Sequence, residues 1–318
     1  MFNLVRNEWE KIFRQSSTYL MIGLLILCIV AAAGITKYME GKEKAASNDW
    51  KQELAAQNES LLKESDGIQI TTPSMRAFTE KQVALNEYRI EHDIPPTTEN
   101  TVWTFINDSA SLIPFAGLFV LVIAAGIVAN EFTWGTVKIL LIKPYQRWKI
   151  LLSKYIAVNL FLIFMLAILF VGAGLIGTIL FGTGNAANNV HLAYVNGRVE
   201  EQSLLFYLLK SYVLHAIGVV LLAAMAFMIS AVFRNSALAI GLSVFLLFTG
   251  GTVTNLLASK FNWAKYSLFA NTDLMQYIDG IPLVEGMTMK FSVIVLLIYF
   301  LVFHLLAFSI FLKRDIAS

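Results

Sequence analysis

The sequence predicts an all-α integral membrane protein with six transmembrane helices, and three observations support that fold class. Hydrophobic residues make up 57% of the 318-residue chain, charged residues only 14%, and the mean hydropathy is +0.65, outside the range of soluble domains. Six stretches carry almost no charge, each long enough to cross about 30 Å of hydrocarbon. Lys and Arg concentrate in the segments that alternate spans would place on one side of a bilayer.

Residues 1–17 predict an amphipathic helix lying in the membrane interface. Phe2, Val5, Trp9 and Ile12 recur at helical spacing, while Arg6, Glu10, Lys11 and Arg14 take the rest of the surface. The helix leads into a six-span transmembrane domain, 18–318, with spans at Thr18–Thr36, Ser109–Asn130, Tyr155–Phe181, Leu204–Ala231, Ser236–Leu257 and Phe291–Leu312. The first span also offers the small-residue cleavage site Ala31-Ala32-Ala33 of a signal peptide. Its apolar core, Tyr19 to Ile35, is longer than such peptides use, which favours retention as a span.

Charge sets the orientation. Arg6, Lys11 and Arg14 precede span one; Lys138, Lys143, Arg147, Lys149 and Lys154 lie between spans two and three; Arg234 follows span four; Lys313 and Arg314 end the chain. Those segments, and with them both termini, are expected in the cytoplasm of a multi-pass cell-membrane protein. The loop 37–108, inserted between spans one and two, is then outside. It is acidic, with 13 Asp/Glu against 8 Lys/Arg, so the formal charge of +2 implies no nucleic-acid partner.

Within that loop Asp49 can cap a helix carrying Trp50, Leu54 and Leu61, and Thr72-Pro73 opens a second with Met75, Phe78 and Leu85 on one side, ending before Pro95-Pro96. A helical hairpin is expected, either as a spacer or as a cap that handles substrate or a partner. Asn58-Glu-Ser and Asn107-Asp-Ser match the glycosylation sequon, a triplet common by chance.

Several chemistries find no support. The lone Cys28 excludes an internal disulfide, and the scattered His92, His191, His215 and His304 have no zinc spacing, so no metal is expected. None of the six spans holds the Asp or Glu that an ion-coupled transporter would use. No phosphate-cradling G-x-x-x-x-G-K-[ST] is present. Gly172-Ala-Gly174-Leu-Ile-Gly177 spells a dinucleotide fingerprint, but it lies mid-span without a βαβ context and suits close helix packing instead. One enzymatic alternative is an intramembrane serine hydrolase using Ser243 and His304, which lie at comparable depth on spans five and six. It resembles the rhomboid protease dyad only loosely, since Val244 replaces the glycine expected after the serine. A packing serine and a hydrogen-bonded histidine are the competing reading.

The segment after span two is the most distinctive. Glu131 sits where the span leaves the membrane, Gly135-Thr136 permits a turn and a new cap, Val137 to Ile142 supply less than two turns of helix, and Pro144 discourages continuation. Trp134, Tyr145 and Trp148 suit the headgroup layer, while Arg147, Lys149 and Lys154 hold the start of span three. A short helix is thereby held at the cytoplasmic surface, where a soluble partner can grip it.

Taken with the interfacial N-terminal helix, six spans and large first outer loop, this pattern of Glu131, Gly135-Thr136, Pro144, Arg147 and Lys154 resembles the permease subunits of type-2 ATP-binding-cassette transporters. The similarity is to the bacterial branch that includes bacitracin- and lantibiotic-resistance exporters, and it covers nearly the whole chain. The resemblance implies a non-catalytic half-transporter that joins a second permease, identical or not, and two soluble ATPase subunits, on which ATP and Mg are bound. No cofactor is then expected on this chain. Glu131, Gly135, Thr136, Val137, Leu140, Leu141, Pro144 and Arg147 would form the coupling helix seated in the ATPase. The segment Asn255 to Lys290 is similar in position to the family's partly re-entrant element. The cargo would be a hydrophobic or amphipathic antimicrobial peptide, drug or lipid-like molecule exported from the membrane. Asn159, Ser243, Thr252, Thr254 and Asn255 are candidate pathway groups, and each can equally serve as an interhelical hydrogen-bonder.

Overall fold

The computed structural model describes residues 1–40, 49–67, 72–96, 100–135, 145–184, 190–195, 197–233 and 235–313. They form an all-α integral membrane protein with six helices long and apolar enough to cross a bilayer.

Helix α1, Phe2–Arg14, ends at Gln15, whose extended backbone turns the chain into α2, Ser16–Glu40. The Thr18 hydroxyl donates back to the Ile12 carbonyl across this corner. The expected hairpin follows as α3, Trp50–Gly67, and α4, Pro73–Glu91. Thr72 caps α4 by accepting from the Met75 amide, with Pro73 at the first helical position. Leu54 and Val83 are buried in the hairpin, and Asn86 donates to Asn58 Oδ1 at 2.8 Å. One of the two sequon asparagines is thus a buried packing residue.

The second span starts earlier than its apolar run suggests, and so shortens the outer loop. Helix α5, Val102–Ser109, opens on a capping box between Thr101 and Thr104, and a 3₁₀ turn at 110–112 leads into α6, Ile113–Thr133. Val102, Phe105 and Ile106 are buried, whereas Asn107 and Asp108 face outward. Those two polar residues interrupt the apolar run without interrupting the helix. Helix α7, Arg147–Phe181, likewise begins before Tyr155. At about 1.5 Å per residue it is longer than the hydrocarbon core requires, so its first turns carry Trp148 and Lys149 beyond it.

A two-stranded antiparallel hairpin, β1 (Val190–Val195) and β2 (Arg198–Ser203), was not anticipated. Its signal was present: Asn196-Gly197 follows the β-prone run Val190–Val195, and Gly197 takes a φ of +81°. Helix α8, Leu204–Phe233, and α9, Ser236–Ala258, follow, the latter capped by the Asn235 side chain. Short turns at 262–266 and 275–277 flank α10, Leu268–Asn271, before the last span, α11, Met289–Lys313.

Helices α6 and α8 form the centre. In each of the α5–α6 and α8 spans 67% of the apolar stretch is buried, against 22% in α2, α9 and α11. Small side chains such as Ala116, Ala124, Ala125, Ala223 and Ala226 are fully buried there. Close approach of this kind drives association where lipid offers no hydrophobic contrast. Ser230 Oγ accepts from the Ala129 amide at 2.9 Å across this contact.

The segment between α9 and α11 is held by a polar knot. Asn271 donates to the carbonyls of Lys265 and Ser267, accepts from Ser292 Oγ, and Ser292 in turn meets Tyr277 Oη at 2.6 Å. Gln276 bonds the carbonyls of Ala270 and Asp273 and the Leu283 amide. Buried amides are tolerated only when satisfied in this way. The segment lies so close to α8 that a Cβ on Gly218 would meet the Thr272 carbonyl oxygen at 2.8 Å. Gly218→Ala should therefore cost about 1–3 kcal/mol of stability, read as a lowered thermal unfolding midpoint in detergent. Gly241→Ala, with nothing within 4 Å, should leave the midpoint unchanged or slightly raised.

Candidate functional site

Four charged side chains converge at the end of the molecule that carries α1. Glu8 and Lys11 lie one turn apart on α1, Glu131 in the last turn of α6, and Lys154 in the second turn of α7. Lys154 Nζ donates to Glu8 Oε2 at 2.8 Å and to Glu131 Oε1 at 2.7 Å. Lys11 Nζ reaches Glu8 Oε1 at 2.7 Å and Glu131 Oε1 at 3.1 Å. The Lys154 side chain is 1% exposed, and Glu8 and Glu131 are 6% and 12% exposed.

Local structure explains why these residues need one another. A carboxylate in the last turn of a helix opposes the negative end of the macrodipole, so Glu131 depends on its cations. A fully buried ammonium is tolerated only when paired and hydrogen-bonded, and Lys154 has two carboxylates. Helix α1 is packed so that Glu8 meets them: Ile12 is buried, Trp9 stacks edge-on against Phe164, and Phe13 lies against Phe161 and Phe164. The expected interfacial helix is thus fastened to the protein along one side, while Phe2 at its start stays exposed.

Burial pushes the Glu8 carboxyl pKa up, but the attraction of Lys154 and bonds from Lys11 and Lys154 outweigh it, leaving the pKa below the usual 4.5. Burial pulls Lys11 down, and its contacts with Glu8 and Glu131 more than restore it, leaving the ammonium pKa above 10.5. A depressed acid stabilises the fold above its unfolded pKa, and that stability is lost as pH falls through the folded value. A raised base stabilises below its unfolded pKa, and that stability is lost as pH rises through the folded value. The thermal midpoint should therefore be flat from about pH 6 to 9 and fall on either side. Glu8→Gln should flatten the acid limb, which a series of unfolding scans against pH would read.

Beside the cluster lies a cavity of about 410 Å³, bounded by the α1–α2 corner, α6 and Ile240 of α9. Its walls are apolar at Met21, Val122, Ile123 and Ile127. Its head is polar, with Arg14, Asn130, Trp134 and the four clustered charges.

Among the residues singled out for coupling, Glu131 enters the cluster, and Gly135 takes a φ of +68° directly after the α6 cap residue Trp134, a conformation that favours glycine. Arg147 is the first residue of α7. Thr136, Val137, Leu140, Leu141 and Pro144 lie outside the described residues. Glu8 and Lys11 were not singled out. Glu8 stands one turn before Ile12 at the margin of the apolar stripe, and a carboxylate there was the available signal.

No hydrogen bond joins the candidate pathway groups to one another among the described residues. Asn159 donates to the Tyr155 carbonyl of its own helix, Thr254 meets Ser267 Oγ at 3.0 Å, Ser243 is buried, and Thr252 and Asn255 are exposed. Nor does the geometry join Ser243 to His304. His304 Nδ1 bonds the Phe300 carbonyl, while His304 Nε2 and Ser243 Oγ each lack a hydrogen-bond partner among the described residues. Among those residues no three His, Cys, Asp or Glu side chains are grouped to hold a metal ion.

A family model described as "Protein of unknown function (DUF2705)" matches residues 74–317. That stretch includes Glu131 and Lys154 but not Glu8 and Lys11. The chain is 51% identical over 319 residues to the "Uncharacterized protein YhcI" of Bacillus subtilis (strain 168), covering 100% of both. It is 32% identical over 222 residues to the "Uncharacterized membrane protein YdbK" of the same organism, covering 69% of this chain and 85% of that protein. This multi-pass membrane protein therefore belongs to the DUF2705 family.

Proposed function

We propose that this chain is the membrane-spanning permease subunit of an ATP-binding-cassette exporter, working with a second permease and two separate ATPase subunits. The observation that carries the reading is the Glu131–Lys154 pair. It clamps the two ends of the segment between α6 and α7 together and ties both to α1. A force applied to that segment by a partner would be delivered to spans two and three at once, because an ion pair buried this deeply resists separation. In this reading the chain binds no nucleotide, and ATP and Mg act on the partner.

The cavity beside the cluster supports the cargo class. Apolar walls with a polar head suit an amphipathic molecule, such as an antimicrobial peptide, a drug or a lipid-like compound, that enters from the inner leaflet. Orientation in the cell membrane follows from the Lys and Arg bias, with both termini in the cytoplasm and α3–α4 outside. A cysteine at Glu64, in a Cys28→Ala background, should react with an impermeant thiol reagent in intact cells, whereas one at Asn7 should not. The reverse pattern would invert the topology.

Affinity purification in mild detergent tests the assignment. A soluble ATPase with a phosphate-binding loop should co-purify, and the chain alone should turn over no ATP. Recovery without any such ATPase, or ATP turnover by the isolated chain, would refute it.

A further inference from the structure

A second cavity, of about 720 Å³, lies at the opposite end of the molecule, where α4, α5, the β-hairpin and the start of α8 meet Asp279. It is independent of the transport reading. Its wall is braced: Tyr207 Oη donates to Asp279 Oδ2 at 2.6 Å, the Tyr207 ring stacks on His191 at 3.6 Å, and Lys81 bonds the Ile278 carbonyl and pairs with Asp279.

Arg89 is different. It lines the same cavity and is half-buried, yet has no ion pair among the described residues, and its one hydrogen bond is a long one of 3.4 Å to the Pro95 carbonyl. A guanidinium offers five N–H donors in a planar fork suited to carboxylate or phosphate, so among the described residues most of its capacity is unspent. The lining also holds Asp108, a carboxylate that would repel a simple anion but accept from hydroxyls, and the amide of Asn107, which can both donate and accept.

We propose that this cavity binds a phosphate ester of a polyol, its phosphate on Arg89 and its hydroxyls on Asp108 and Asn107. Trp103 and Tyr207 in the same wall are the aromatic types that favour the headgroup layer. The ester can therefore be a free solute or the headgroup of a membrane lipid.

The test uses the full-length chain. In phosphate-free maltoside micelles at low salt, calorimetric titration with sn-glycerol 3-phosphate should show saturable binding, tighter than inorganic phosphate. Arg89→Gln should weaken binding by at least about tenfold. Arg89→Lys should retain part of it, and Lys63→Gln, in an exposed pair with Glu59, should change nothing. Asp108→Asn should narrow the preference for the ester over inorganic phosphate, a readout that does not depend on Arg89 variants folding.

In nanodiscs, phosphatidylglycerol should raise the unfolding midpoint over phosphatidylcholine in the wild type but not in Arg89→Gln if a lipid headgroup is the natural source. A midpoint indifferent to lipid, with soluble ester still bound, would identify a free solute. Binding in neither arm, or binding equal in Arg89→Gln and wild type, would overturn the proposal.

Discussion

Lys154→Met should destabilise the folded protein by about 3–5 kcal/mol, the largest loss expected from any single substitution in the ion cluster. The ammonium is 1% exposed and lies within 2.8 Å of two carboxylates on two other helices. Its removal takes from Glu8 and Glu131 the buried cation they share, while Lys11 still pairs with both. Lys11 is 42% exposed, so its attraction is screened more than that of Lys154.

The apolar methionine fills most of the lost volume, which separates the charge effect from a cavity effect. If the charges cause the loss, Glu8→Gln and Glu131→Gln added to Lys154→Met should restore much of it, because a buried ion group replaced as a whole is often neutral. Unfolding by graded detergent denaturation would read both variants. A Lys154→Met protein as stable as wild type would mean that the cluster is not buried as described.

Most of the fold was legible in the sequence because a lipid environment enforces long uninterrupted apolar stretches. The errors fell where that rule stops applying. Residues 102–108 were assigned to the loop because Asn107 and Asp108 face outward from a helix whose other side is buried. The β-hairpin was overlooked because it lies between spans, where the local turn signal at Asn196-Gly197 had to be read by itself.

The site was legible only in halves. Glu131 and Lys154 stood out by pattern, Glu131 as the residue where the span leaves the membrane. Its pairing with Lys154 depends on how α6 and α7 pack. Glu8 required knowing which side of α1 turns inward. An isolated amphipathic helix and one docked against the protein share a hydrophobic stripe, and only the position of α1 against Phe161 and Phe164 distinguishes them.

The cluster also sharpens what a change in the segment between α6 and α7 should do if it docks on an ATPase. Leu140→Asp should abolish co-purification of that partner. Burying an apolar side chain of this size stabilises an interface by about 1.5–3 kcal/mol, and a charge in its place both forfeits that gain and resists desolvation, so docking should weaken tenfold or more. Stability of the chain itself should stay at the wild-type level, because none of the four clustered charges is touched.

Glu131→Gln should do the reverse. It removes the charge that joins Lys154 and Lys11 to the end of α6 while leaving the docking side chains in place, so the ATPase should still bind. The segment would then be fastened less firmly to span three and α1, and ATP-driven transport should fall more than binding does. Paired pull-down and transport assays on the two variants separate contact from transmission. If Leu140→Asp inserts, keeps the ATPase and transports at the wild-type rate, the segment is a connecting loop, and the buried ion cluster serves only to hold α1 against the spans.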